Sequence, residues 1–274
     1  MTALEAVVLG LVQGLTEFLP ISSTAHLRII PALLGWDDPG AAYSAVIQLG
    51  TTAAVLVYFA GDLRRLTVAF VKGLMARAPL ATPDSRLAWC VGVGTLPIGV
   101  LGLLFKRTIE TSARSLYVIA ASLIVLAIVL FIVERRAKFT RPLSEVTLRD
   151  GVIIGLWQAL ALIPGSSRSG TTLTGGLSLG FTREAAARCS FLLSIPATTL
   201  AGLLKLKDVI REPDAASSAG LLALGTAVAF VTGLAAIWGL LRYLRTRSTL
   251  VFIAYRVLLG LSLFVLLGAG VLQP

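Results

Sequence analysis

The chain has 274 residues, of which 56% are hydrophobic and 14% are charged, and its mean hydropathy is +0.88. Soluble domains carry about 25% charged residues, so these proportions exclude a soluble globular enzyme, a disordered chain and a nucleic-acid-binding domain. The net charge of +10 is better explained by Lys- and Arg-rich loops on the cytoplasmic side of a membrane. Cys90 and Cys189 both lie in apolar segments, so neither a disulfide framework nor a thiolate metal site is expected.

Eight apolar stretches follow one another along the chain, and two of them are broken. In chain order they are the broken stretch 6–34, the stretches 43–59, 89–105 and 116–133, the broken stretch 152–179, and the stretches 189–204, 221–241 and 250–267. The six unbroken stretches are long enough to cross a hydrocarbon core of about 30 Å as helices. The first residues, 1–6, contain Glu5 and no basic residue, so a cleavable signal peptide is not expected.

The two broken stretches are interrupted by proline, glycine and serine, and neither half of either one can span a bilayer. Each is predicted to be a re-entrant hairpin, with a short helix in, a polar loop at membrane depth and a short helix out. Residues 63–78 between the first two spans are predicted to form an amphipathic connector at the interface. Arg256 lies near the start of the last span, where its long side chain is expected to snorkel to the interface.

The two broken stretches resemble each other in sequence. Residues 10–15 match residues 155–160 at Gly, Leu, Gln and Leu with an offset of 145, and residues 20–23 match residues 164–167 with an offset of 144. A weaker match relates residues 48–52 to 195–199. Three matches in one order indicate an internal duplication. Each repeat then has one hairpin and three spans, an odd number, so the second repeat is expected to be inverted in the membrane.

The basic residues of the loops support this topology. One side would hold 15 of them: Arg64, Arg65, Lys72, Arg77, Arg86, Arg135, Arg136, Lys138, Arg141, Arg149, Arg183, Arg188, Arg242, Arg245 and Arg247. The other side would hold six: Lys106, Arg107, Arg114, Lys205, Lys207 and Arg211. The excess of Lys and Arg marks the cytoplasmic side. Both termini are therefore expected outside, and the hairpin tips should meet within the membrane.

The helix of the first hairpin carries two polar residues on one face. Gln13 and Glu17 are four residues apart, and a carboxylate inside a membrane marks a functional site by default. Pro20 ends this helix. The bland alternative is that Glu17 and His26 only hydrogen-bond to neighbouring helices.

Three hydroxyls and the only histidine follow the break. Ser22 or Ser23 can cap the next helix, Thr24 adds a third hydroxyl, and His26 is expected beside Ser23. The convergence of these groups with a carboxylate at a helix break favours a functional site over simple helix packing.

The loop of the second hairpin, residues 164–172, has the composition of an anion site. Its glycines free the backbone, its serines supply hydroxyls, and it opens a helix whose N-terminal amides attract anions. Arg168 supplies a fork suited to phosphate, and a Gly- and Ser-rich packing motif would not explain it. The candidate ligands of this loop are Gly165, Ser166, Ser167, Arg168, Ser169, Gly170 and Thr172. The sequence predicts an oxyanion site, for phosphate, at membrane depth.

Residues 10–26 and 164–172, with Ile47-Gln48-Leu49-Gly50 between them, resemble the signature motifs of the undecaprenyl-diphosphate phosphatase, or bacitracin-resistance protein, family. The resemblance implies an enzyme of the bacterial plasma membrane that hydrolyses undecaprenyl diphosphate to undecaprenyl phosphate and inorganic phosphate. It thereby recycles the lipid carrier for peptidoglycan and confers bacitracin resistance. The expected fold is an all-α polytopic membrane protein, a single domain of residues 1–274 with repeats 1–145 and 146–274, six transmembrane helices and two re-entrant hairpins.

Position by position, the resemblance implies catalytic roles for Glu17, Ser23, His26 and Arg168. The remaining candidates for substrate binding are Gln13, Ser22, Thr24 and the loop residues named above. The family is associated with a divalent cation, Mg²⁺ or else Ca²⁺, with Glu17 as its protein ligand. Gln13 stands where many members have Glu, which weakens a dicarboxylate metal site.

The expected partners are a polyprenyl diphosphate lipid and the bilayer, with no nucleic acid, and a homodimer is left open. Ser23 is the candidate nucleophile, activated by Glu17 or His26, and attack by an oriented water is the alternative. The active site is expected to open outside. The rival function is a polyprenyl-phosphate flippase or an anion transporter, because inverted repeats with broken helices are typical of carriers. A structural membrane protein would not need a buried Glu and Arg.

Overall fold

A computed structural model describes residues 1–38, 40–105, 115–210 and 215–273, and every regular element within those ranges is a helix. In chain order the helices are α1 (Ala3–Phe18), α2 (Ser23–Leu34), α3 (Gly40–Tyr58), α4 (Ala60–Met75), α5 (Pro83–Leu104), α6 (Leu116–Arg136), α7 (Leu148–Ala159), α8 (Arg168–Ser178), α9 (Arg183–Ile210), α10 (Ala215–Leu244) and α11 (Leu250–Gly268). Short 3-10 turns, Leu143–Glu145 and Leu160–Leu162, lie before and after α7.

The all-helical, multi-pass architecture confirms the predicted fold class. Within the described ranges, five helices are long and apolar enough to cross a membrane: α5, α6, α9, α10 and α11. A sixth span results if α3 and α4 are counted together, but α4 turns away from α3 by 72°. The count of six spans therefore stays a prediction. Helix α5 begins before its apolar stretch does, because a polar turn with a capping box of Thr82 and Ser85 precedes the apolar residues.

Two helical hairpins, α1–α2 and α7–α8, enter the bundle from opposite ends. The start of α1 packs beside the starts of α3 and α10, where Leu9, Tyr43 and Leu222 belong to one buried cluster. The start of α7 instead lies against the start of α5, where Cys90 Sγ donates to Thr147 O over 3.0 Å. Since α3 and α5 begin at opposite ends of the bundle, the hairpins point toward each other. Their tips meet where Ser169 Oγ donates to Leu19 O over 3.0 Å.

The two hairpins share the same caps at an offset of 145 residues. α1 begins with a capping box of Thr2 and Glu5, and α7 begins with one of Thr147 and Asp150. At the breaks, Ser22 and Ser167 cap α2 and α8 with left-handed φ values of 76° and 66°. This geometry pairs Ser22 with Ser167, one residue later than the sequence match at an offset of 144. The duplication and its inversion stay predictions. The helix caps of both hairpins are related by the same offset of 145 residues.

Close helix packing holds each hairpin against the rest of the bundle. At Gly14 of α1, a Cβ would meet Thr232 Oγ1 of α10 at 1.7 Å. At Gly155 of α7, a Cβ would meet the Gly94 carbonyl oxygen of α5 at 2.5 Å. Glycine is needed at both positions because the helix backbones approach each other directly. The two hairpins are therefore wedged into the bundle rather than laid over it.

One end of the bundle gathers the basic loops predicted to be cytoplasmic. Ion pairs there join Arg183 to Glu134 at 2.6 Å and Arg188 to Asp62 at 2.7 Å, and they link α4, α6 and α9. Nearby, the side-chain hydrogen bond with Asp150 raises the pKa of Arg141, so that guanidinium stays charged at neutral pH. Four of the six basic residues predicted for the other end (106, 107, 114 and 211) lie outside the described residues.

Arg256 does not snorkel, and that prediction is wrong. Its side chain is fully buried in α11, and its Nη2 donates to the carbonyl oxygens of Ser166 at 3.0 Å and of Gly165 and Ser122 at 3.4 Å. The carbonyls of the second hairpin loop point inward because the loop has no helical partners for them. A guanidinium has five donors, which makes it able to hold several such carbonyls at once.

Candidate active site

Glu17 lies at the centre of a buried polar network at the end of α1. Its Oε2 accepts hydrogen bonds from Gln13 Nε2 at 3.0 Å and from Ser23 Oγ at 2.7 Å. Its Oε1 accepts one from Gln48 Nε2 at 2.8 Å. The shared helix face predicted for Gln13 and Glu17 is confirmed by the bond between them. Four neighbours thus fix the carboxylate, the fourth being an arginine from the other hairpin.

Arg168 joins the two hairpins by an ion pair from its Nη2 to Glu17 Oε1. The side chains are 11% and 5% exposed, respectively. Its Nη1 has no hydrogen-bond partner among the described residues. Breaking a buried pair by removing one partner costs about 3–5 kcal/mol, so this contact fastens the hairpin tips together. The unpartnered Nη1 leaves the guanidinium able to bind an anion.

A cavity of about 200 Å³ opens beside this ion pair. Both hairpin tips line it, together with α3, α5 and α9: Glu17, Ser22, Ser23, Thr24, Gln48, Ile98, Ala161, Ser167, Arg168, Ala197, Thr198 and Ala201. One wall is therefore polar and carries Glu17, Ser23 and Arg168, and the other is apolar and made of one isoleucine and three alanines. Such a cavity suits an anionic group attached to a hydrocarbon.

His26 does not line the cavity, although it was a catalytic candidate. Its Nδ1 bonds to the Ser22 carbonyl oxygen at 2.7 Å, and its Nε2 bonds to the Tyr255 hydroxyl at 2.6 Å. A carbonyl only accepts, so Nδ1 carries the proton and Nε2 accepts from the tyrosine. The imidazole and phenol rings also stack, with centroids 5.6 Å apart. His26 therefore holds the backbone before Ser23, and Glu17 is the carboxylate that contacts the Ser23 hydroxyl.

The N-terminus of α8 faces the cavity through Ser167 and Arg168, as predicted for the loop. Ser167 Oγ accepts from the Gly170 amide at 3.2 Å, just as Ser22 Oγ accepts from the Ala25 amide at 3.4 Å. The helices α2 and α8 thus both begin at this one small cavity. The sum of their dipoles favours an anion there.

Other predicted ligands of the loop support it rather than line the cavity. Ser169 Oγ bonds to Ser167 Oγ at 3.2 Å, and Thr172 Oγ1 donates to the Arg168 carbonyl at 2.7 Å. The Ser166 hydroxyl is buried without a partner among the described residues. Gly165 has a φ of +87°, which places its carbonyl near Arg256. At Gly170, a Cβ would meet Arg256 Nη1 at 2.9 Å.

Three supporting residues were missed or underrated in the sequence. Gln48, known from the sequence only as part of the stretch between the two motifs, lines the cavity and contacts Glu17. Ser122 donates from Oγ to the Pro164 carbonyl at 2.6 Å, and nothing in its apolar surroundings indicates this. Arg256 had a signal, since an ionisable residue within a span marks a function by default.

A family model described as Bacitracin resistance protein BacA matches residues 6–262 of the chain. The matched region contains both hairpins, the cavity and all helices except the ends of α1 and α11. The chain belongs to the bacitracin resistance protein BacA family.

Curated relatives of this BacA family member cover its whole length. The undecaprenyl-diphosphatase of Myxococcus xanthus (strain DK1622) is 65% identical over 274 residues, covering 100% of this chain and 92% of that relative. The undecaprenyl-diphosphatase of Chloroherpeton thalassium (strain ATCC 35110 / GB-78) is 55% identical over 281 residues, covering 100% and 99%. That of Chlorobaculum tepidum (strain ATCC 49652 / DSM 12025 / NBRC 103806 / TLS) is 51% identical over 282 residues, covering 100% of both.

Proposed function

We propose that this BacA family member is a membrane-embedded hydrolase that cleaves undecaprenyl diphosphate to undecaprenyl phosphate and inorganic phosphate. The observation that carries the proposal is the contact of Ser23, Glu17 and Arg168 at one cavity between the hairpin tips. The names of the relatives, at up to 65% identity, support the same substrate. The activity recycles a lipid carrier for peptidoglycan and accounts for bacitracin resistance as a family property.

Ser23 is the nucleophile in the mechanism that we infer. Glu17 Oε2 accepts the proton from Ser23 Oγ while that oxygen bonds to the terminal phosphorus and the bond to the bridging oxygen breaks. Undecaprenyl phosphate leaves with the bridging oxygen. A water then attacks the phosphorus of the phosphoserine, and Glu17 returns its proton to Ser23 Oγ as the bond between that oxygen and phosphorus breaks. Inorganic phosphate leaves with the oxygen and protons of the water, and the Glu17 carboxylate and the Ser23 hydroxyl are restored. Direct attack by a water that Glu17 orients gives the same products and is the alternative.

Arg168 and the N-terminus of α8 stabilise the negative charge that accumulates on the transferred phosphoryl group. The unpartnered Nη1 is the donor available to a phosphate oxygen. Preorganised donors of this kind are worth about 10²–10³ in rate. Arg168 also pairs with Glu17, so a phosphate that engages the guanidinium competes with the carboxylate. That competition would leave Glu17 freer to accept the Ser23 proton.

The apolar wall of the cavity suits the first isoprene units of the substrate. Ile98 of α5 and Ala197 and Ala201 of α9 form this wall, and each of the first two follows a proline within its helix. Proline removes a backbone hydrogen bond and bends a helix. We infer a lateral passage between α5 and α9 beside these prolines, through which the hydrocarbon tail can remain in lipid.

The oxygen-bearing side chains around Glu17 fit a divalent cation of the Mg²⁺ type. Mg²⁺ is commonly bound by one or two carboxylates together with substrate phosphates. Here Glu17 would be the charged ligand, with the amide oxygens of Gln13 and Gln48 turned toward the ion. Among the described residues, no group of three or more His, Cys, Asp and Glu side chains could hold a metal on its own. A bound cation would neutralise phosphate charge, and the diphosphate would complete its ligands.

We also place the protein in the bacterial plasma membrane, with the site open to the outside and the basic face in the cytoplasm. An impermeant thiol reagent tests this in intact cells, because Cys90 and Cys189 are buried. S144C, on the basic face, should stay unlabelled, whereas D37C, at the other end, should be labelled. The reverse pattern would overturn the orientation. The homodimer that the sequence leaves open is checked by the mass of the particle in nanodiscs.

A flippase or anion transporter is the second candidate, because two broken hairpins that meet inside a bundle also occur in carriers. A carrier needs an anion site but no nucleophile, and the Ser23–Glu17 contact therefore favours the hydrolase. Purified protein in detergent cannot carry out vectorial transport. Release of one inorganic phosphate per undecaprenyl diphosphate in detergent would support hydrolysis, and intact substrate after prolonged incubation would leave transport as the function.

A further inference from the structure

A second cavity, of about 760 Å³, lies at the basic face between α4 and the segment that leads into α5. It shares no lining residue with the cavity at Glu17. Arg64, Val68 and Lys72 line it at intervals of four residues, so one face of α4 forms a wall. Arg65 lies at the edge of that face, and Thr82 and Asp84 from the start of α5 lie across the cleft.

The two faces of α4 differ in what they contact. Leu63, Leu66 and Phe70 point toward the bundle, where they line a smaller apolar cavity with residues of α5 and α9. On the outer surface, Val68 is 44% exposed and Met75 is 81% exposed, beside the exposed cations. Basic and apolar side chains exposed together on one helix are typical of a helix that lies in the membrane interface. The 72° turn after α3 is compatible with that position.

The cations in the cleft are only partly neutralised. Arg65 pairs with Asp62 at 2.5 Å, and Asp62 also pairs with Arg188 at 2.7 Å. Arg64 and Lys72 form no ion pair with any residue in the described part of the chain. Asp84 is the one carboxylate among the residues that line the cleft, against three cations. The residues that line the cleft therefore carry a net positive charge.

We propose that this cleft binds the headgroup of an anionic phospholipid from the leaflet at the basic face. Basic pockets between helices on the cytoplasmic side suit anionic lipid headgroups. Arg64 and Lys72 would contact the phosphate. The apolar part of the wall, formed by Val68, Ala69 and Ala76, would contact the glycerol and the upper acyl chains. A soluble anion would use the cations and leave this apolar wall uncovered, so the lipid is the better fit.

Such a lipid would tie α4 to the start of α5. α4 continues directly from α3, which carries Gln48 of the catalytic cavity. A headgroup in the cleft would therefore stabilise the turn below α3 without contacting the substrate. The site does not depend on the proposed hydrolase, because none of its residues contact the Glu17 cavity.

The test compares two double variants with equal loss of charge in purified protein in neutral detergent. R64Q/K72Q removes both unpaired cations of the cleft, and R135Q/R136Q removes two exposed cations of the same face outside it. The probe is dioleoylphosphatidylglycerol, with dioleoylphosphatidylcholine as the neutral lipid. The apparent Kd is taken from the rise in Tm with lipid concentration. Wild type and R135Q/R136Q should prefer phosphatidylglycerol over phosphatidylcholine. R64Q/K72Q should bind phosphatidylglycerol about 10- to 30-fold more weakly than wild type does.

Three outcomes would overturn the proposal. R64Q/K72Q could keep the full preference for phosphatidylglycerol, R135Q/R136Q could lose it equally, or inorganic phosphate at the same concentration could reproduce the rise in Tm. The first two would show that no site exists in the cleft, and the third would show a phosphate site rather than a lipid site. A spin-labelled phosphatidylglycerol provides an independent measurement on wild type. A motionally restricted spectrum that unlabelled phosphatidylglycerol reverses, and phosphatidylcholine does not, is expected.

Discussion

Ser23 Oγ donates a hydrogen bond of 2.7 Å to Glu17 Oε2, across the break that separates α1 from α2. A hydroxyl that already points at a buried carboxylate is prepared to lose its proton when it attacks an electrophile. The contact also links the start of α2 to the end of α1. Its role in turnover can be separated from its role in folding by substitution of each partner.

Ser23→Ala should reduce kcat on the order of 10³-fold or more if Ser23 is the nucleophile, because removal of a nucleophile disables the covalent step. Affinity for a methylene-bridged diphosphonate analogue should stay near normal, since Arg168 is unchanged. Ser262→Ala, an exposed serine on α11, is the control and should have wild-type activity. More than about a tenth of wild-type kcat in Ser23→Ala would exclude covalent catalysis and favour a water oriented by Glu17.

Arg168→Lys should lower kcat/KM on the order of 10²-fold or more, although the charge is kept. Lysine lacks the planar fork that can hold both Glu17 and a phosphate oxygen. Arg28→Lys on α2, where the arginine lies 3.7 Å from Asp38, is the matched control. Initial rates of phosphate release measure both variants. Near-normal rates for Arg168→Lys would mean that a point charge suffices.

Gln13→Glu should keep substantial activity and reach half-maximal rate at a lower Mg²⁺ concentration, because a second carboxylate adds a charged ligand beside Glu17. Gln13→Ala should lose less activity than Glu17→Ala, since it removes a neutral hydrogen bond and not a charge. Titration of Mg²⁺ after treatment with a chelator measures both effects. If Gln13→Ala is as inactive as Glu17→Ala, the two residues act as one unit.

Arg256→Met should lower both Tm and kcat. The substitution leaves the carbonyls of Gly165 and Ser166 buried without their donor, which costs about 1–3 kcal/mol for a buried polar group, and it loosens the loop before Arg168. Thermal unfolding in detergent and the rate of phosphate release are the measurements, with Arg247→Met on the exposed basic face as control. Unchanged Tm and kcat would mean that the loop holds its shape without the guanidinium.

The fold could be predicted from sequence because its main determinant is apolar length. Runs of membrane-spanning length give spans, and Pro20 and the 164–167 loop interrupt two of them in the same way. The number of spans does not follow from apolar length alone, since α3 ends in the sharp turn to α4. The hairpin offset was corrected by backbone conformation: Ser22 and Ser167 share a left-handed φ that no side-chain match displays.

The sequence predicts the part of the site whose chemistry depends on residue type alone. Glu17, Ser23 and Arg168 do come together, and sequence pattern supplied each of them. His26 was expected beside Ser23, but its ring turns to Tyr255, a residue 229 positions away in the chain. Arg256 was assigned to the interface because a long side chain near a helix end can snorkel. The positions of the His26 and Arg256 side chains depend on contacts with residues far away in the chain. A local sequence pattern does not show such contacts.

The most direct test of the account is the rate of inorganic phosphate release from undecaprenyl diphosphate by wild type and Glu17→Gln in the same detergent. Glu17→Gln keeps the size of the side chain but cannot accept the Ser23 proton. Glu5→Gln, at the start of the same helix, is the matched control. The account predicts one phosphate per substrate for wild type and Glu5→Gln. It predicts that the rate for Glu17→Gln is reduced on the order of 10²-fold or more. Equal release by Glu17→Gln and wild type, or no release by wild type, would contradict it.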